Sequence, residues 1–229
     1  MLRNMFGLAA GLLMLALFAQ GALCFTLEPT VTVLRLPADI TGQTLVLKNP
    51  REVDLPVVFE IFERQINEDG SEVTTPADDD FVIFPPQAVV PAGKAQAVRI
   101  QWVGGALSQS RSFTLYASEQ PLNLSGQAQS GVQTILRMGA SVHVTNQGFM
   151  PTPKLIRYHP VPDGVVVSIK NNGNEFLYID MLKMKFGREE VGAFELANDA
   201  GRTLITPGAT RTFKVDGVQG VPELHFGVR

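Results

Sequence analysis

The chain has 229 residues, 45% of them hydrophobic and 18% charged, with one cysteine and three histidines. That length holds one large or two small domains with sizeable cores. Its 19 basic and 22 acidic residues, nowhere concentrated, exclude a nucleic-acid partner, and so few His and Cys exclude a Cys-rich zinc site or a disulfide framework.

Arg3 precedes an uncharged apolar run from Met5 to Phe18, which closes on the small-residue stretch Ala19-Gln20-Gly21-Ala22. This is the layout of a secretory signal peptide, predicted over residues 1–24 with Phe25 as the first mature residue. The run is shorter than the ~20 residues that span a bilayer, so no membrane anchor is expected after cleavage. Cleavage also removes Cys24, and the exported remainder then depends on core area alone for its stability.

From Thr26 onward the apolar residues alternate with period two: Val31 and Val33, Leu45 and Leu47, then Val57, Phe59 and Ile61. Further strands are predicted at Phe81–Phe84, Ala95–Trp102, Ser112–Glu119 and Gly131–Thr145, separated by turn signals such as Lys48-Asn49-Pro50, Glu68-Asp69-Gly70 and Pro91-Ala92-Gly93. Seven or so short strands in this span point to an immunoglobulin-like sandwich. A boundary is expected near Asn146-Gln147-Gly148, with Pro151 and Pro153 in an extended linker. A second, smaller set of strands follows at Val165–Lys170, Phe176–Met181, Ala193–Leu196, Arg202–Ile205, Thr210–Val215 and Glu223–Val228. The expected units are therefore 25–147 and 148–229.

Catalytic chemistry has no constellation behind it. His143, His159 and His225 lie far apart and read as surface or core residues, and neither a nucleophile elbow nor a phosphate loop occurs. Asp78-Asp79-Asp80 lacks the flanking residues of a calcium loop and reads as solvated. The chain is expected to be neither an enzyme nor a cofactor protein. The unusual stretch is the polar loop Asn123 to Gly131 and the strand after it, in which Val132, Thr134, Leu136, Met138, Ala140, Val142 and Val144 share one face. Such a strand reaches roughly 43 Å, more than a small sandwich needs, and Arg137 sits on its opposite face.

The mature chain resembles the periplasmic chaperones of the chaperone–usher pilus pathway. The resemblance is carried by Phe25-Thr26-Leu27-Glu28-Pro29, Leu45-Val46-Leu47-Lys48-Asn49-Pro50, Phe84-Pro85-Pro86-Gln87, Val90-Pro91-Ala92-Gly93, Gln96 to Trp102, Arg111-Ser112-Phe113 and Glu119-Gln120-Pro121-Leu122, in that order. It implies an all-β fold of two immunoglobulin-like β-sandwich domains in an L-shaped arrangement. It also implies a periplasmic location and a function: binding and capping pilus subunits by donor-strand complementation and delivering them to an outer-membrane usher, without a cofactor. The other reading is an exported structural pilus component or adhesin. In the chaperone reading, Ala128, Ser130, Val132 and Thr134 form the donor strand for the subunit groove. Arg137 and Arg35 anchor the subunit's C-terminal carboxylate, and the unoccupied protein can self-associate through the same strand. The chain departs from the family pattern at Thr30-Val31-Thr32, where a second basic anchor is usual. It departs again at Ser141, where relatives place an arginine in a buried inter-domain ion pair.

Overall fold

The computed structural model describes residues 24–121, 135–201 and 203–226. Ten strands make up the first part: β1 (Thr26–Glu28), β2 (Val31–Leu36), β3 (Gln43–Lys48), β4 (Leu55–Ile66), β5 (Glu72–Pro76), β6 (Phe81–Phe84), β7 (Gln87–Val90), β8 (Ala95–Trp102), β9 (Arg111–Glu119) and β10 (Arg137–Asn146). They form a four-stranded sheet in the order β1-β3-β8-β6 and a six-stranded sheet in the order β2-β10-β9-β4-β5, with β7 also paired to β4. All pairs are antiparallel except β2 with β10, which run parallel.

Alternation decides which residues meet between the sheets. Leu45 and Leu47 of β3 and Val98, Ile100 and Trp102 of β8 face Val57, Phe59 and Ile61 of β4, Phe113, Leu115 and Ala117 of β9, and Ala140, Val142 and Val144 of β10 in one continuous cluster. At one end of the sandwich Phe81 packs edge-on with Trp102 and Phe113, at centroid distances of 5.2 and 4.9 Å, and the latter two rings are tilted to each other at 5.9 Å. Arg111 lies over the Trp102 and Phe113 rings, paired with both Glu63 and Asp80 at 2.7 Å. Asp78–Asp80 is a short 3-10 turn in which Asp78 and Asp79 are exposed, while Asp80 supplies one of the two carboxylates that hold a cation against the core rim.

The second part contains β11 (Pro153–Val161), β12 (Gly164–Asn171), β13 (Leu177–Tyr178), β14 (Leu182–Phe186), β15 (Glu189–Val191), the helix α1 (Ala193–Ala200), β16 (Leu204–Ile205), β17 (Thr210–Asp216) and β18 (Pro222–Phe226). Its sheets are β11-β12-β17, β15-β14-β18 and the small pair β13-β16, and they enclose a separate cluster that includes Val165, Val167, Ile169, Met184, Phe186, Leu196 and Val215.

Two expectations need correction here. The residues read as an extended linker continue into β11, because the linker prolines leave later residues free to pair with β12. The predicted strand at Ala193–Leu196 is the first turn of α1. Its run of Ala, Leu and Glu favours helix, the Glu195 carboxylate accepts the Gly192 N–H at 3.0 Å across the first turn, and Leu196 is its buried residue. The long strand begins, among the described residues, at Arg137.

Truncating the central Leu115, which is fully buried, should destabilise the protein by about 2–5 kcal/mol through lost burial and the cavity left behind. Urea unfolding of Leu115→Ala against the parent checks this, and a loss under 1 kcal/mol would contradict the assigned core.

Candidate functional site

The face of the six-stranded sheet turned away from its core is polar in a way that the inner face is not. Glu60, Phe62 and Arg64 of β4 alternate with its core residues. On β9 the alternating set is Ser112, Thr114, Tyr116 and Ser118, and on β10 it is Arg137, Gly139, Ser141, His143 and Thr145. The register sets these side by side: Tyr116 opposite Glu60 and Gly139, Thr114 opposite Phe62 and Ser141, and Ser118 opposite Arg137.

At one end of this face, the Arg137 guanidinium carbon lies 3.7 Å from the Tyr116 ring centroid and 5.2 Å from that of Phe62. Its Nη2 reaches Glu60 Oε2 at 3.4 Å, a long contact between two half-exposed groups. A guanidinium held against an aromatic ring keeps its planar fork of donors, which suits bidentate capture of a carboxylate. Glu60 is kept nearby by the Ser118 hydroxyl at 3.2 Å.

In the middle of the face is a cation that the sequence reading overlooked. Arg64 donates to Ser141 Oγ at 3.0 Å and makes two bonds to Glu72, at 3.2 and 3.0 Å, with both side chains nearly buried. Ser141 thus receives a guanidinium from another strand of the same sheet. The signal was present in the even-numbered positions of β4, Glu60-Phe62-Arg64, which alternate with Phe59 and Ile61.

At the far end the face is covered by the second part of the chain. His143 is fully buried; its Nδ1 lies 2.9 Å from Ser112 Oγ and its Nε2 2.7 Å from Tyr178 Oη, while Phe176 stacks on the ring at 3.8 Å. Beside it, Thr145 Oγ1 donates to Glu175 Oε2 at 2.6 Å, the Phe176 N–H donates to Ser110 Oγ at 2.7 Å, and the Ser110 N–H donates to Asn174 O at 2.8 Å.

The structure does not bring the two anchor candidates together. Arg35 pairs in register with Thr145, eight residues along β10 from Arg137, so the two positions stand about 26 Å apart and cannot hold one carboxylate between them. Arg35 instead faces Glu175, at 3.8 Å. The four donor-strand candidates Ala128, Ser130, Val132 and Thr134 lie outside the described residues.

The strand edge at Arg137 is open. β2 pairs with β10 only over Ser141–Asn146, while β9 pairs with β10 from Arg137 onward. Glu119 N–H donates to Leu136 O on the β9 side, and Ser141 N–H donates to Thr30 O on the β2 side. By the alternation of a ladder, Arg137 and Gly139 turn their backbone N–H and C=O groups the same way as Ser141, past the end of β2, where no described strand pairs with them.

Burial, reinforced by the Arg64 charge, lowers the pKa of His143 to about 3. The folded protein therefore keeps this ring neutral where the unfolded chain protonates it, so the contribution is complete above the ordinary value near 6.5 and declines as pH falls toward 3. Glu175 has the opposite sign: burial raises its pKa, so its share is present in acid and lost as pH rises through the raised value. Stability should fall on the order of 3–5 kcal/mol between pH 6.5 and 3 on account of His143. Denaturation of His143→Gln beside the parent across that range isolates the effect, and parallel pH curves would refute it.

Residues 26–148 match the family model of pili and flagellar-assembly chaperones, PapD N-terminal domain. Among solved structures, the chain is similar to one in the CsuC–CsuE chaperone–tip adhesion subunit pre-assembly complex from archaic chaperone-usher Csu pili of Acinetobacter baumannii. The identity is 18%, with 89% of this chain and 97% of that chain covered and a TM-score of 0.59. It is also similar to the E. coli chaperone DraB, at 16% identity, with 89% and 97% covered and a TM-score of 0.55. The Pseudomonas aeruginosa CupB2 chaperone is similar at 14% identity, with 87% and 97% covered and a TM-score of 0.54. No protein of curated function matches the chain in sequence. At these identities the structural likeness is one of fold, while the match over the first part of the chain is one of family.

Proposed function

The chain belongs to the pili and flagellar-assembly chaperones, and we propose that it captures pilus subunits by adding a strand to them from the open edge of β10. The observation that supports this reading is the stretch of β10 at Arg137 and Gly139, where, among the described residues, the backbone donors and acceptors on one side meet no strand, on a strand otherwise locked into a sandwich. A subunit strand laid along this edge would gain main-chain hydrogen bonds, and alternating side chains would supply specificity. The segment leading into β10, with Ala128, Ser130, Val132 and Thr134, is the stretch proposed to enter the subunit's apolar groove.

Arg137 is the proposed anchor for the subunit's terminal carboxylate. Tyr116 and Phe62 hold its guanidinium by cation–π contact, and the long contact to Glu60 is weak enough for an incoming carboxylate to displace. The reaction is strand exchange and needs neither nucleotide nor cofactor, and the subunit passes from this edge to the outer-membrane usher. The family and the apolar run Met5–Phe18 support a periplasmic site of action, and the two separate cores support a division into two units near residue 147. The reading as a structural pilus component or adhesin is not favoured, since the matching family consists of assembly chaperones.

Co-purification of pilus subunits from periplasmic extract tests the assignment. Arg137→Ala should reduce capture about 10- to 100-fold, the range expected for loss of a charge-assisted bidentate contact, with Arg137→Lys falling between it and the parent. Capture undiminished in Arg137→Ala would remove the anchor. Val132→Glu, which places a charge on the proposed groove-facing set, should weaken binding by about 1–3 kcal/mol in a titration against purified subunit. Equal affinity would exclude that segment from the groove.

A further inference from the structure

The β4–β5 hairpin extends beyond the sheet that supports it. β9 pairs with β4 only as far as Glu63, whereas the β4–β5 ladder continues to Ile66 opposite Glu72, so the last turn projects toward the second part of the chain. Ile66 packs there with Phe176 and Leu204, flanked by Val33 and Tyr178. The turn is braced internally, with the Asn67 N–H on Ser71 O at 2.9 Å, the Gly70 N–H on Asn67 O at 2.9 Å and the Ser71 N–H on Asp69 Oδ1 at 2.8 Å.

A polar socket receives this tip. Glu68 O accepts from the Thr212 N–H and from Arg211 Nη1, both at 2.8 Å, and Arg211 Nη2 also donates to Ala200 O at the end of α1 at 3.0 Å. Glu68 Oε1 accepts from Arg157 Nη2 at 2.9 Å and from Thr212 Oγ1 at 2.6 Å. Arg157, Ser168 and Thr212 lie in one row across β11, β12 and β17, with Ser168 Oγ 2.7 Å from Thr212 Oγ1. Arg157 joins that row because the register of β11 shifts between Leu155 and Arg157, and an irregularity of this kind re-aims a side chain.

Gly70 completes the fit. Its φ is +88°, and a Cβ at that position would stand 2.5 Å from Arg211 Nη2, so only glycine lets the turn lie against the guanidinium. Arg211 is 2% exposed, a buried charge that donates to a carbonyl of the first part of the chain and to one of the second.

We propose that the hairpin tip from Glu68 to Gly70 is a latch that sets how the second unit is held beside the open edge of β10, with Arg157 and Arg211 as its positioning residues. Its consequence for subunit capture rests on the strand-addition reading; the latch itself does not. Pulsed electron paramagnetic resonance measures it directly, with spin labels at Val82→Cys on β6 and Lys183→Cys on β14, both exposed, in the chain from Phe25 onward, which has no other cysteine. The parent should give one narrow distance distribution. Glu68→Ala with Arg157→Ala, and separately Arg211→Met, should at least double its width while circular dichroism stays unchanged, and both should lower subunit capture about ten-fold with Arg137 intact. An unchanged width overturns the latch. Should Arg211→Met fail to fold, the double variant decides alone, because both of its sites are solvent-facing. The distance measurement needs no subunit, so a broadened distribution with capture unchanged retains the latch and overturns its role in positioning for capture.

Discussion

Strand β10 has to satisfy three environments at once, and the architecture follows from how it does so. Ala140, Val142 and Val144 complete the core of the first sandwich. One residue out of phase, His143 and Thr145 are buried against Tyr178, Phe176 and Glu175 of the second part. At its other end, among the described residues, Arg137 and Gly139 have a pairing neighbour on one side only. A strand buried on both faces at one end and unpaired at the other has its register held firmly by packing, and so presents its free edge in a defined place. An edge of that kind is an aggregation hazard in most proteins, and here it is the surface proposed to receive a subunit strand.

The junction between the two units carries a set of directional polar contacts. A neutral imidazole between two hydroxyls, a carboxylate receiving a threonine hydroxyl, and a hairpin tip bonded through its backbone carbonyl are all directional. Directional bonds specify an orientation where apolar packing alone leaves freedom to slide, although each contributes only modestly to net stability. Ile66, Phe176 and Leu204 supply a small apolar cluster between these contacts. The absence of an arginine at position 141 is met by Arg64, which brings its own partner Glu72 and leaves β10 with a small hydroxyl residue.

Much of this was legible from residue order. The alternation in Leu45-Leu47, Val57-Phe59-Ile61 and Val98-Ile100-Trp102 maps directly onto the core, because period two is the geometric signature of a half-buried strand. The signal was weaker where pairing is short. Leu177–Tyr178 and Leu204–Ile205 are two-residue strands that carry little periodicity, and the residues around Ala193 were read as strand because four residues do not separate a helix from a strand. Arg137 stands out in the sequence as a charge on the long strand, and the family resemblance proposes it as an anchor. Arg35 was assigned as its partner by proximity in sequence to the expected position, which says nothing about register; parallel pairing puts it at the opposite end of β10.

What the sequence by itself determined is local: which residues face inward, where the chain turns, and which family the order of its motifs resembles. These depend on neighbours two to four residues apart. Arg64 beside Ser141, His143 between Ser112 and Tyr178, and Glu68 in the socket of Arg157, Arg211 and Thr212 join residues from 31 to 144 positions apart. Only the tertiary structure decided these pairings. A hydrogen bond depends on where two strands end in space, and that is set by sheet order and register, neither of which leaves a trace in the residues of either strand alone.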